Sequence, residues 1–355
     1  MGSLSPILAV FHDRDDRVRP KVIGLYAVLG VANLFAWLWA FVLFRNDPLL
    51  LATCLIAYGF GLRHAVDADH IAAIDNVTRK LMQEGKRPIA VGLYFSLGHS
   101  TVVFVATIVI ALTASSLQQR FPRLIEVGSV VGTLVSVLFL FAIATINVVV
   151  LAEVYRLCGR VRRGYSHPGG ELDVFLAQRG FLARFLRGFF RLIYRSWHMY
   201  PLGLLFGLGF DTASEIGLLG ISAAEATDRL PIGSILVFPA LFTAGMSLVD
   251  SSDSALMVGA YGWAYLNPMR KLYYNLAITG TSVVVALAVG GIEALGLVAD
   301  KLGHDDNLSA AASTATAHLG VLGYVAVGTF VTIWVVSFVI YRAMGYHKIP
   351  KLDHL

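Results

Sequence analysis

Gly61-Leu62-Arg63-His64-Ala65-Val66-Asp67-Ala68-Asp69-His70-Ile71-Ala72-Ala73-Ile74-Asp75-Asn76 sets one arginine, two histidines and three aspartates into surroundings that are otherwise strongly apolar. On a soluble surface such a cluster is ordinary. Halfway across a bilayer each ionisable group costs roughly 2.5–3.5 kcal/mol on insertion scales, and groups that persist there face one another, a water-filled cavity or a transported ion. The fold therefore turns on whether the flanking chain is membrane-spanning.

The flanking chain reads as membrane throughout. Of 355 residues, 57% are hydrophobic and 14% charged, and the mean hydropathy is +0.70, well outside the range of a soluble domain. A span needs about 20 apolar residues, and eight runs meet that length: 22–44, 49–77, 89–114, 127–151, 198–224, 232–256, 272–297 and 319–341. The expectation is an all-α polytopic membrane protein with eight transmembrane helices, forming a single transmembrane domain over 1–355. The polar N-terminus lacks the short apolar core of a cleavable signal peptide, so the first run is expected to act as the targeting signal. Cys54 and Cys158 form neither a disulfide framework nor a CxxC site.

Charge gives an orientation. The great majority of the 28 Lys and Arg residues fall on one side of an alternating topology: around Arg14–Lys21, Arg79–Arg87, Arg156–Arg195, Arg270–Lys271 and Arg342–Lys351. The positive-inside rule assigns that side, with both termini, to the cytoplasm. The net charge of +5 is explained by these loops and calls for no nucleic-acid partner. In the basic loop at 153–197, Phe and Leu residues from Phe175 to Phe190 alternate with Arg179, Arg184, Arg187 and Arg191, the pattern of an amphipathic helix on an anionic leaflet.

Other polar groups sit inside the runs. Depth arithmetic at 1.5 Å per residue sets His99 roughly 15 Å from the inner end of the third run and His64 roughly 22 Å down the second, both near mid-bilayer. Asn147 lies in the fourth run, Asp211 and Glu215 in the fifth, Asp250 and Asp253 in the sixth. Phe60-Gly61-Leu62 recurs as Phe206-Gly207-Leu208, and Gly98-His99-Ser100 as Gly245-Met246-Ser247, at nearly equal offsets. That spacing predicts a 3+3 inverted repeat of helices 2–4 and 5–7, the architecture that frames midplane sites in many transporters.

At about 100° per residue, His64, Asp67 and His70 sweep one side of a continuous helix. Asp69 points elsewhere, to Arg63 if the helix is distorted or to a neighbouring helix as acceptor for the outer nitrogen of a ligating imidazole, while local unwinding would bring all four together. Imidazole and carboxylate without thiolate suit Ni²⁺, Co²⁺ or Zn²⁺ rather than Cu⁺ or Mg²⁺. The residues expected at the metal centre are His64, Asp67 and His70, with Asp69 behind them and His99 at the same depth; Arg63, Asn147, Asp211, Glu215, Asp250 and Asp253 are the other polar groups set within the apolar runs.

Arg63-His64-Ala65-Val66-Asp67-Ala68-Asp69-His70-Ile71 resembles the signature of the nickel/cobalt transporter family. Three further stretches are similar to that family's pattern: 97–103, 208–215 and 245–253, with Ser214 where threonine is common. The resemblance implies an eight-helix permease of the cytoplasmic membrane, with His64, Asp67, Asp69 and His70 essential for uptake and His99, Asp211, Glu215, Asp250 and Asp253 supporting.

The expectation is a secondary permease that imports divalent nickel or cobalt by alternating access, with the metal as substrate and no prosthetic group. The bilayer and the ion are its partners. No G-x-x-x-x-G-K-[ST] motif is present, and no ATPase subunit is implied. An exporter of the same metals would use the same ligands. An intramembrane metalloenzyme is disfavoured because H-E-x-x-H is absent, and a metal sensor is the remaining alternative.

Overall fold

The structure is a computed structural model, and it describes residues 10–11, 13, 17–113, 121–162, 193–208, 232–264, 268–302 and scattered positions between 314 and 336. The elements are α1 (Val18–Phe44), α2 (Pro48–His64), α3 (Ala68–Gln83), α4 (Val91–Thr113), α5 (Phe121–Arg162), a 3-10 turn (Ser196–His198), α6 (Met199–Phe206), the single turn α7 (Ile232–Ile235), α8 (Val237–Ala264) and α9 (Pro268–Leu302).

α1 is peripheral. Ile23, Val31, Leu34, Phe35, Leu38, Phe41 and Val42 are all exposed, an apolar face that fits lipid rather than water. α2 begins where Asp47 Oδ1 accepts from the backbone N–H groups of Leu49 and Leu50, both at 3.1 Å, with Pro48 at a position that needs no donor. It stops at His64. Ala65–Asp67 break the ladder, and α3 leaves at 52° to α2. Although α3 carries His70, Asp75, Asn76, Thr78 and Arg79, all five are buried, so its polar side faces protein.

α8 is the packing centre, lying against α1, α2, α3 and α4. Glycine lets the backbones meet. A Cβ at Gly61 would stand 2.1 Å from the Phe242 carbonyl oxygen, and one at Gly245 would stand 2.7 Å from that of Tyr58. α2 and α8 thus cross with glycine on both sides, as small residues allow in membranes. The α4–α6 crossing repeats the device: a Cβ at Gly98 would lie 1.9 Å from the Tyr200 oxygen, and one at Gly203 2.1 Å from that of Phe95. α5 and α9 pair along their length and also flank α3.

The all-α multi-pass class holds, but eight crossings are not found. Among the described residues four helices are long and apolar enough to cross a membrane, Val18–Phe44, Val91–Val109, Gly233–Gly262 and Thr279–Ala299, or five if bent α2–α3 is one span. Counting apolar runs gives eight because hydropathy does not see breaks. The run at 49–77 is cut at Ala65–Asp67, whereas that at 127–151 lies within the continuous α5, whose described apolar stretch is Thr133–Val149. The run at 198–224 is described only to residue 208, as a turn and the eight-residue α6. The 3+3 repeat falls with that count. Its matched tripeptides have a packing explanation, since Gly61, Gly98, Gly207 and Gly245 each stand where another backbone passes. Residues 163–192 of the basic loop lie outside the described residues, and α5 extends through Arg162 into what the run count assigns to loop.

Arg79 is also displaced from its expected setting. Charge counting puts it in a cytoplasmic loop, yet it is 2% exposed, with Nη1 donating to Thr279 Oγ1 at 2.7 Å and Nη2 to Asn76 Oδ1 at 2.5 Å.

Candidate metal centre

The break between α2 and α3 builds the site. His64 ends one helix and His70 lies in the first turn of the next, so the bend turns both imidazoles to a common point, ring centroids 4.7 Å apart. α4 supplies His99, whose ring lies 4.8 Å from each of the other two. Ligating nitrogens from all three fall within 4.8 Å of one another, and all three residues are buried. Phe95 and Phe242 wall the cluster at 4.8 Å from His70 and 5.7 Å from His64, which limits access of water.

Carboxylates fix which nitrogen faces inward. His70 Nδ1 lies 3.4 Å from both oxygens of Asp250. A carboxylate only accepts, so Nδ1 carries the hydrogen and Nε2 keeps its lone pair. Among the described residues Nε2 is buried without a partner. Ser96 Oγ donates to Asp250 Oδ2 at 2.9 Å and holds the acid in place. Asp67 lies beside His64, its Oδ2 3.2 Å from Nδ1, an ion-pair contact without the geometry of a hydrogen bond. Asp67 is the N-cap residue of α3 but makes no side-chain cap bond; its carboxylate is turned to His64 and to Arg63, whose Nη2 is 3.8 Å from Oδ1. His64 Nε2 and His99 Nε2 then face each other at 3.0 Å. Two imidazole nitrogens that close require a hydrogen or a cation between them.

The remaining expected residues divide. Asp69 sits in the first turn of α3, half-buried and outside the three-histidine group. Asp253 is buried on α8, three residues on from Asp250. Asn147 is away from the histidines: its Nδ2 donates to Asn76 Oδ1 at 2.6 Å, joining the Arg79 network. Asp211 and Glu215 lie outside the described residues.

Sequence reasoning leaves other polar partners unassigned. Asp75 is 0% exposed and accepts from Tyr261 Oη at 2.5 Å and Ser282 Oγ at 2.8 Å. Its place inside the opening ionisable stretch is a signal for it; nothing in one sequence marks Ser96, Tyr261, Thr279 or Ser282 among many similar residues.

A sequence model of the high-affinity nickel-transport protein family, NicO, matches residues 50–340. The chain belongs to this family. Three relatives match over most of their length. The chain is 59% identical over 330 residues to a high-affinity nickel transport protein of Cupriavidus necator, covering 93% of this chain and 94% of that one. It is 51% identical over 342 residues to the hydrogenase nickel incorporation protein HupN of Bradyrhizobium diazoefficiens, covering 95% and 90%. It is 43% identical over 286 residues to the cobalt transport protein NhlF of Rhodococcus rhodochrous, covering 79% and 80%. No solved structure matches. The signature stretch of this NicO member is thus the helix break that carries His64, Asp67 and His70.

Proposed function

We propose that this chain is a secondary permease that carries divalent nickel or cobalt across the cytoplasmic membrane, with His64, His70 and His99 holding the ion midway. The observation that carries this reading is the buried trio of imidazoles whose nitrogens converge within 4.8 Å. The relatives' names, two of nickel proteins and one of a cobalt transport protein, support the same substrates.

The donor set narrows the chemistry. Neutral imidazoles with carboxylates behind them suit borderline divalent ions. Two nitrogens each about 2.1 Å from one ion are about 3.0 Å apart at a right angle and about 3.4 Å apart at the tetrahedral angle. The 3.0 Å spacing of His64 and His99 is one that two nitrogens on a single such ion can take.

Import by alternating access, with both termini cytoplasmic, completes the reading. The positive-inside rule supports that orientation. So does the clustering of basic and N-terminal segments at one end. There Asp13 accepts from the Ser196 N–H at 2.8 Å and its hydroxyl at 2.5 Å, Arg87 N donates to Asp13 O, and Lys21 Nζ donates to Arg87 O at 3.1 Å. Lys80 and Lys86 bond the Ile193 and Tyr194 carbonyls. These bonds tie the inner end shut, so release inward requires them to part.

The test is uptake of radiolabelled nickel by proteoliposomes with an imposed inside-negative potential. Wild type accumulates the ion and His64→Ala does not. Equal uptake by His64→Ala would refute the assignment.

A further inference from the structure

Between the histidine centre and the inner end lies a second group of buried acids that holding the metal does not employ. α8 and α3 both run inward, and along their contact Asp250 meets His70, while Tyr261 meets Asp75. Asp253 lies between those levels, one turn of α8 beyond Asp250. It is 9% exposed, and its Oδ2 has no partner among the described residues. Buried carboxylates stand on either side of it: Asp250 one turn earlier on α8, and Asp75 of α3 held by Tyr261 of α8.

The three acids are not equivalent. Asp250 has His70 and Ser96. Asp75 has a hydroxyl on each oxygen, from Tyr261 and Ser282. Asp253 alone keeps a buried oxygen unmet and faces like charge. A carboxylate in that position is strongly disfavoured, whereas a carboxylic acid is neutral and offers one O–H to an acceptor. The other titratable groups on the packed elements are engaged elsewhere: Lys21 of α1 by the Arg87 carbonyl, Tyr26 of α1 by Ser252, His70 of α3 by Asp250, and Arg79 of α3 by Thr279 and Asn76. His64 of α2 and His99 of α4 belong to the metal centre.

We propose that Asp253 is a proton site linked to the metal centre: it holds a proton while the three histidines are empty and yields it when they take a divalent cation. The step balances as one ion bound and one proton released to water from the Asp253 carboxyl, which is left as carboxylate. The linkage is electrostatic. A double positive charge on the far side of His70 and Asp250 offsets the repulsion that holds the proton on Asp253. A proton and the metal therefore oppose each other at neighbouring stations, the behaviour of intramembrane carboxyls that relay protons in transporters.

This inference rests on the histidines binding the metal, and its test separates the two. Full-length protein in detergent is titrated with Ni²⁺ alone, and metal-induced infrared difference spectra are recorded with calorimetry in two buffers of different ionisation enthalpy. Wild type is expected to lose a protonated-carboxyl C=O band on binding. Asp253→Asn is expected to bind Ni²⁺ without that band and to release about one proton fewer per ion. Asp253→Glu keeps a carboxyl, and the band is expected to return at a shifted frequency. A wild type that binds no Ni²⁺ overturns the metal-centre reading and this one with it. Ni²⁺ binding with the same band in wild type, Asp253→Asn and Asp253→Glu, or equal proton release from wild type and Asp253→Asn, overturns this one alone.

Discussion

Replacing Asp250 by asparagine keeps the volume of the side chain and removes the charge that orients His70. In the structure both carboxylate oxygens stand 3.4 Å from His70 Nδ1, and both residues are 0% exposed; asparagine keeps one oxygen to accept from Nδ1–H, but water does not make up for the lost charge. A hydrogen bond to a charged group is worth about 1.5–3 kcal/mol, and every 1.4 kcal/mol is tenfold in affinity. The expected loss is about 10-fold to 100-fold in Ni²⁺ affinity, the range found when the outer partner of a ligating imidazole is removed. Ser96→Ala, which deletes only the 2.9 Å bond to Asp250, is expected to cost about 0.5–1.5 kcal/mol, a smaller loss. The assay is calorimetric titration of purified protein with Ni²⁺, paired with concentration-dependent nickel uptake in proteoliposomes. Unchanged affinity in Asp250→Asn, with the protein folded, would refute the role given to the Asp250 charge.

Further outcomes follow from contacts elsewhere. Gly61→Ala sets a methyl 2.1 Å from the Phe242 carbonyl, and overpacking of this kind costs about 1–3 kcal/mol; a lower unfolding temperature in detergent checks it, and wild-type stability would contradict the close crossing. Arg79→Gln loses charged bonds to Thr279 and Asn76 and is expected to destabilise by about 1.5–3 kcal/mol, measured the same way, with no change if Arg79 lies in a solvated loop. In a background lacking Cys54 and Cys158, cysteines at 13 and 196 are expected to cross-link on oxidation and block nickel uptake until reduced. Uptake by the cross-linked protein would contradict the inner clasp.

The sequence carried the class of the molecule because apolar runs and charge asymmetry are properties of composition along the chain. It did not carry the number of crossings, because a break such as Ala65–Asp67 is three residues of ordinary composition inside an apolar run. That break also changes the site. The helical-angle argument treats His64–His70 as continuous and sorts Asp69 from Asp67 by angle. In the structure the two histidines approach because the helix stops between them, and Asp67 is drawn back to His64 from its capping position. Depth arithmetic sets His99 level with His64, and their Nε2 atoms lie 3.0 Å apart; distance along a helix axis survives a local bend better than angle around it. Sequence reasoning offers Asp69 as acceptor for a ligating imidazole on a neighbouring helix and names no acceptor for His70. That acceptor is Asp250, 180 positions on, and such long-range pairing leaves no periodic trace in a single chain. Arg79 eludes charge counting for a related reason, since a lone guanidinium near the end of an apolar run looks the same in sequence whether it meets water or Thr279.

The most direct test of the metal centre is X-ray absorption spectroscopy of the nickel-loaded protein, which counts imidazole ligands around the ion. The account predicts three imidazoles in wild type and one fewer in each of His64→Ala, His70→Ala and His99→Ala. A nickel environment with no imidazole, or one unchanged in all three variants, would contradict it.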